Sequence, residues 1–227
     1  MAYLGHYYRT YALDFWGFGE SGKKRDTYAV QDFVSLVNQF MESLGIVRAP
    51  LVGHSMGGTV SLSVAIRYPE RVSKVVVVGS PIVGSSLSWP LKLAGYRGIA
   101  FLLFNMMGAF RLATRVASPF ICRDPRFPEM MDRDISRTTL ESFLLSIASL
   151  RRTDLRPMLD EIKMPAMGIY GDKDNIVHPR QWEPMLAGIP QARIQRFNSA
   201  GHFPMLDTPD DFMQVLKEFL SDEKPAL

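Results

Sequence analysis

The sequence predicts an α/β fold in which a mostly parallel central sheet is flanked by helices, with a long helical insertion between two of its strands. Three observations predict it. Residues 49–68 read as a strand, a tight glycine turn and a buried helix; Val72 to Val78 is an unbroken β-branched run; and strand-like and helix-like patterns alternate from Tyr8 to Val78. An unbroken apolar strand suits a sheet covered on both faces. Strand–helix alternation implies right-handed crossovers within one α/β domain.

Tyr8 to Leu13 alternates and is rich in β-forming residues, so a strand is expected there, running into a Gly-rich loop over Asp14 to Ser21. Thr27 to Leu44 carries Phe33, Leu36, Val37, Phe40, Met41 and Leu44 at helical spacing, which predicts an amphipathic helix ended by Gly45. Ile46 to Val52 is the next strand, with Ala49 to Val52 expected to be buried. Met56 to Tyr68 is a buried helix ended by Pro69. Between them stands Gly53-His54-Ser55-Met56-Gly57-Gly58. In so tight a turn, a side chain at Gly53 or Gly57, two residues either side of Ser55, is expected to collide with strand or helix. Ser55 then projects its hydroxyl into open space, and the Met56 backbone N–H points at the same space from the helix start.

The segment Ser80 to Ile162 far exceeds the dozen or so residues that a plain crossover needs. Its pattern is helical, strongly apolar over Ile99 to Ala113 and amphipathic over Leu140 to Leu150. Phe101, Phe104, Met106, Met107 and Phe110 suggest an adaptable apolar lining. Met164 to Tyr170 resumes the sheet and Ala192 to Phe197 adds a strand. Thr208-Pro209-Asp210-Asp211 then opens a last helix, with Thr as N-cap, Pro first and acids in the first turn, ending near Leu220.

Composition excludes several classes. A chain of 227 residues with 47% hydrophobic content can bury one large core. The single cysteine, Cys122, rules out an internal disulfide and reads as a small packed residue. With no basic-plus-apolar leader, a cytoplasmic protein is expected. The longest apolar run, Gly98 to Phe110, is too short to span a bilayer, so no stable membrane anchor is expected. A formal net charge of +3 makes no case for nucleic acid. From Val72 to Cys122 there is no acid, only Lys74, Lys92, Arg97, Arg111 and Arg115. A solvated rim explains them, and contact with an anionic lipid surface or an acidic acyl group is the sharper alternative. No cluster has metal-ligand spacing and no glycine-rich phosphate loop precedes a helix, so neither metal nor cofactor is expected.

Three motifs carry a resemblance: D-x-x-G-x-G-x-S at Asp14 to Ser21, G-H-S-M-G-G at Gly53 to Gly58, and R-Y-P-E-R-V at Arg67 to Val72. In that order they resemble the α/β-hydrolase family over nearly the whole chain. The resemblance implies a hydrolase core over residues 1–79 and 163–227, and a helical cap over residues 80–162. Asp14 caps and orders its loop. About three strands and a helix usually precede that loop in the family, and the turn after the third strand gives a second oxyanion N–H. The resemblance therefore implies a fold shorn of its N-terminal strands, with an open sheet edge that invites self-association.

Asp172-Lys173-Asp174 resembles the family's acid loop, in which the match falls on Asp174, with Asp172 the runner-up and more naturally a turn former. Asn198 to Pro204 resembles the histidine loop and places His202. Of the other histidines, His54 reads as packing locally, His6 lies near the N-terminus, and His178 as a loop residue near the entrance. The order Ser55, Asp174, His202 is the one this fold uses. Asp174 would fix the imidazole tautomer while His202 takes the proton of Ser55. A serine in the elbow argues against dehalogenase and epoxide-hydrolase chemistry. The reading is a serine hydrolase of a small to medium apolar carboxylic ester, its partner being that small substrate. A carbon–carbon bond hydrolase or a perhydrolase uses the same triad. A non-catalytic or impaired hydrolase-like ligand binder is the alternative of a different class.

Overall fold

A computed structural model describes residues 3–94 and 107–222. Its sheet has four parallel strands in the order β1 (Ala49–His54), β2 (Val72–Val78), β3 (Ala166–Gly171) and β4 (Arg193–Phe197). Registers run Val52 to Val76, Val76 to Met167 and Gly168 to Ile194. The valine run forms the strand the sequence predicts, and its alternation divides it between two cores. Val75 and Val77 pack with Val60, Leu62 and Val64 of helix α2 (Met56–Arg67) and with Phe33 of α1 (Val30–Ser43). Val76 and Val78 join Phe212, Leu216 and Phe219 of the last helix, Pro209–Ser221. All four valines are essentially inaccessible, and burying each contributes roughly 1.5–3 kcal/mol relative to leaving it exposed.

Four expectations change. Tyr8 to Leu13 belongs to no strand. Alternation gives the segment the right side chains, but a strand also needs a neighbour to take its backbone hydrogen bonds. Tyr11 instead packs edge-on against Phe40, ring centroids 5.7 Å apart. The strand before the elbow begins at Ala49 rather than Ile46, and it lies at one end of the sheet order. It is therefore covered unevenly, and Val52 is 45% exposed rather than buried. Helix α1 starts at Val30 because the Thr27 hydroxyl donates to Asp32, which also accepts the Ala29 N–H. Finally, Thr208 precedes the last helix, but its hydroxyl donates backwards to the Pro204 carbonyl and makes no cap bond. Gly45 ends α1 as predicted, at φ 65°.

The described part of the segment between β2 and β3 is mainly helical. It contains α3 (Trp89–Ala94), α4 (Met107–Ile121), α5 (Phe127–Ser136) and α6 (Leu140–Arg152). Arg97, Phe101, Phe104 and Met106, and much of the apolar run through Phe110, lie outside the described residues. Helix α6 is joined to the body of the protein. Ser142 donates to the Gly17 carbonyl at 2.9 Å, and Ser149 accepts the Val30 N–H at 3.1 Å. Ile147 and Leu150 lie in the same apolar cluster as Val75. Of the positive series, Lys74 has a structural use: its ammonium donates to the carbonyls of Phe219, Leu220 and Asp222 at 2.5–2.9 Å. A cation at a helix C-terminus is also favoured by the helix dipole.

Candidate functional site

The elbow is strained where the sequence puts Ser55. Ser55 has φ 53° and ψ −123°, the one non-glycine positive φ among the described residues. Such backbone costs on the order of 1–3 kcal/mol and persists only where its surroundings over-determine it. Here the Ser55 N–H donates to the Val78 carbonyl at 2.8 Å, and α2 starts at the next residue. The first amide of a helix has no intrahelical partner, so the Met56 N–H is unbonded within α2.

The glycine requirement is not symmetric about the serine. A Cβ on Gly53 would stand 2.2 Å from the Gly57 carbonyl oxygen, and one on Gly58 would stand 1.9 Å from Ser80 Oγ. A Cβ on Gly57 meets nothing within 4 Å, so the collision expected there does not occur. Side chains leave a helix in rotating directions, and the one at 57 leaves toward open space. Gly53→Ala is therefore expected to lower stability by about 3 kcal/mol or more, since backbone must move. Gly57→Ala should be neutral or raise stability by up to about 1 kcal/mol through helix propensity. Chemical denaturation of the two variants checks the contrast.

Asp174 and His202 meet at the ends of β3 and β4. His202 Nδ1 lies 2.8 Å from Asp174 Oδ2, with the two residues 3% and 8% exposed. The other carboxylate oxygen accepts the Ile176 and Val177 N–H groups, both at 2.9 Å. An acceptor on Nδ1 places the proton there and leaves Nε2 as the lone pair. Gly79, at φ 55°, lets both residues pass close to the end of β2. A Cβ on it would lie 3.3 Å from His202 Nδ1 and 3.4 Å from Asp174 Oδ2. Ser55 is bonded to that same strand end through Val78, so the three residues converge there. No hydrogen bond joins Ser55 Oγ to His202 among the described residues, and such contacts commonly tighten only with substrate.

The remaining candidates separate from this group. Asp172 is held by Arg196 of the adjacent strand in a two-pronged pair at 2.9 and 3.0 Å. His178 is exposed and accepts the Arg180 N–H at 3.3 Å. His6 lies exposed in a short 3-10 turn. Asp14 orders its loop, accepting the Glu20 N–H at 3.0 Å, while its backbone carbonyl accepts the Ser21 hydroxyl at 2.6 Å. Cys122 is buried, its thiol 3.6 Å from Asp207 Oδ1.

Two residues at the site escape sequence reasoning. His54 does not pack locally: its Nε2 is 2.8 Å from the His202 carbonyl oxygen, and its ring is 4.7 Å from that of His202. Asp207 accepts the Gly201 N–H at 2.8 Å with one oxygen and the Arg123 N–H at 3.3 Å with the other. The His54 contact spans 148 residues and has no local signal, whereas Asp207 closes the histidine loop on Gly201 only six residues back. Withdrawal from water, followed by the nearby His202, lowers the pKa of His54 from 6.5 to about 3. The unfolded chain therefore binds a proton below pH 6.5 that the folded chain refuses, so stability falls as pH drops from there toward about 3. His54→Gln should flatten that decline, by at most roughly 5 kcal/mol, in urea melts run across the window.

A cleft of about 640 Å³ lies against Asp174, with Ser88, Lys92, Arg156, His178 and Arg180 among its walls. Among the described residues no cluster of His, Cys, Asp or Glu could hold a metal ion. No described helix is long and apolar enough to cross a membrane.

Known proteins share this arrangement of elements. The family described as alpha/beta hydrolase fold matches residues 1–209. A 2-hydroxy-6-oxononadienedioate/2-hydroxy-6-oxononatrienedioate hydrolase of a Pseudomonas species is 31% identical over 233 residues, covering 97% of this chain and 80% of its own. A 2-hydroxy-6-oxo-6-phenylhexa-2,4-dienoate hydrolase of Comamonas testosteroni is 30% identical, covering 94% and 77%. Among solved structures, the enol-lactonase of Burkholderia xenovorans superposes with a TM-score of 0.79 at 24% identity, covering 92% and 79%. An alpha/beta hydrolase enzyme from a Medee basin deep-sea metagenome library does so with 0.81 at 23%, covering 98% and 84%. At those identities the two structures speak for the fold alone.

Proposed function

The chain belongs to the α/β-hydrolase fold family, and we propose that within it Ser55, His202 and Asp174 act as nucleophile, base and orienting acid of a serine hydrolase. The observation that carries this reading is the buried Asp174–His202 pair at 2.8 Å, with a strained serine bonded to the end of β2, the strand beside β3. Ser55 Oγ attacks a substrate carbonyl while its proton passes to His202 Nε2. The Met56 N–H stabilises the oxyanion, and Asp174 stabilises the imidazolium. Collapse expels the leaving group, which takes that proton. Water, deprotonated by the same nitrogen, then releases the acyl group, and the imidazolium returns that proton to the departing Ser55 Oγ. Of the inserted residues 80–162, those ahead of Thr139 form the cap over this site, while α6 is fastened to the core.

For substrate we propose a small to medium apolar carboxylic ester. A second reading, cleavage of a carbon–carbon bond beside a carbonyl, is favoured by the Pseudomonas and Comamonas relatives, both hydrolases of 2-hydroxy-6-oxo acids. Their substrates carry carboxylates, and Lys92 stands in the wall of the cleft against Asp174, where Arg156 and Arg180 are paired with Asp154 and Glu183. The test is fluorophosphonate labelling, then turnover of neutral esters of graded length against a 2-hydroxy-6-oxo-dienoate. Labelling with ester turnover alone supports the first substrate; dienoate cleavage with the higher kcat/KM supports the second. Folded protein that neither labels nor turns over any of them overturns the hydrolase reading.

A further inference from the structure

The hydrolytic steps make no use of the histidine that precedes the nucleophile, yet it touches the backbone of the base. His54 Nε2 lies 2.8 Å from the His202 carbonyl oxygen, 148 residues further along the chain. A carbonyl only accepts, so Nε2 bears the proton. The ring lies 4.7 Å from that of His202 and 4.8 Å from that of Phe203, and Phe203 packs in turn on Phe127 at 4.7 Å. His202 is thus held at its imidazole by Asp174, at its carbonyl by His54 and, one residue earlier, through Gly201 by Asp207.

We propose that His54 is the positioning residue of the catalytic base: its Nε2–H fixes the backbone from which the His202 imidazole reaches Ser55. This rests on His202 being the base. The physical reason lies in the covalent neighbourhood. His54 and Ser55 share a peptide bond, so one hydrogen bond ties the base to the same stretch of backbone that presents the nucleophile. Without it, their spacing is set only through separate strands and the loop that leads to His202. A displacement of about 1 Å at reacting groups costs on the order of a hundredfold in rate. The neutral ring suits the place. A cation there would face the imidazolium that His202 becomes, and burial holds His54 uncharged down to about pH 3. Lysine or arginine would supply the donor but not the neutrality.

The test compares His54→Phe, which keeps a ring and loses the donor, with His54→Gln, whose amide N–H reaches from a similar position. Three readouts are taken: steady-state kcat and KM, circular dichroism, and the proton resonance of His202 Nδ1–H. His54→Phe is expected to lower kcat by about ten- to a hundredfold with KM changed less than about twofold, and to broaden or lose the resonance. His54→Gln is expected to recover most of both. Equal losses in the two variants, or a folded His54→Phe with full kcat and an unaltered resonance, overturn the proposal. If the unsubstituted protein neither labels with fluorophosphonate nor turns over any substrate, the hydrolase reading fails, while the resonance still decides whether His54 holds His202 in place. Should His54→Phe not fold, nitrogen shifts of the unsubstituted imidazole decide: an Nε2–H tautomer at neutral pH is expected, and an Nδ1–H tautomer or a charged ring overturns the proposal.

Discussion

Ser55→Ala is expected to lower kcat by roughly a millionfold and to abolish fluorophosphonate labelling, the size of loss seen when a triad serine is removed. The substitution deletes one oxygen and little else. The Ser55 N–H still donates to Val78, and Gly53 still admits the Gly57 carbonyl. The elbow therefore keeps its shape, and stability should stay within about 1 kcal/mol, because alanine occupies the same strained backbone without a larger side chain. Turnover, labelling and a thermal melt of the purified variant check all three expectations together. A folded variant that retains a few per cent of the activity would place the nucleophile elsewhere.

Asp174→Asn is expected to lower kcat about ten-thousandfold while leaving substrate binding largely intact. The reason is in the hydrogen-bond directions. One carboxylate oxygen already serves two backbone donors, the N–H groups of Ile176 and Val177. An asparagine must keep its carbonyl oxygen on that side to satisfy both, which turns its NH₂ toward His202 Nδ1. Two donors then face each other, so His202 changes tautomer and carries its proton on Nε2. The nitrogen that should receive the serine proton then has no lone pair to offer. Because kcat falls with little change in KM, steady-state kinetics distinguish this from a collapsed site. Nitrogen shifts of His202 report the tautomer directly.

How far the sequence reveals the protein depends on whether a feature is local. Val72 to Val78 is legible because each valine meets a core on its own side, so burial and sequence carry the same information. Gly53 is legible because the turn closes upon itself within a few residues. Gly57 misleads because the motif looks symmetric around Ser55 while side-chain directions in a helix do not; the tight partner is Gly58 against Ser80. Tyr8 to Leu13 has strand chemistry but no strand beside it, and periodicity carries no information about neighbours. His54 acts across the fold on the loop of His202, and no spacing in the chain announces such a contact; Asp207 braces the same loop from only six residues beyond Gly201. The acid is legible from its resemblance to a known loop, and the Asp172–Arg196 pair gives the physical reason why the runner-up is occupied.

The docking of α6 bears on how the inserted segment could be exchanged between relatives. Thr139 caps that helix by accepting the Ser142 N–H, and its own N–H reaches the Gly17 carbonyl at 3.4 Å. Ser142 and Ser149 then fasten it to the loop after Asp14 and to the start of α1. A chimera spliced at residue 162 would tear out this fastening together with Ile147 and Leu150 of the core. The seam for grafting a foreign lid lies ahead of Thr139, and the chain from Thr139 onward travels with the host scaffold.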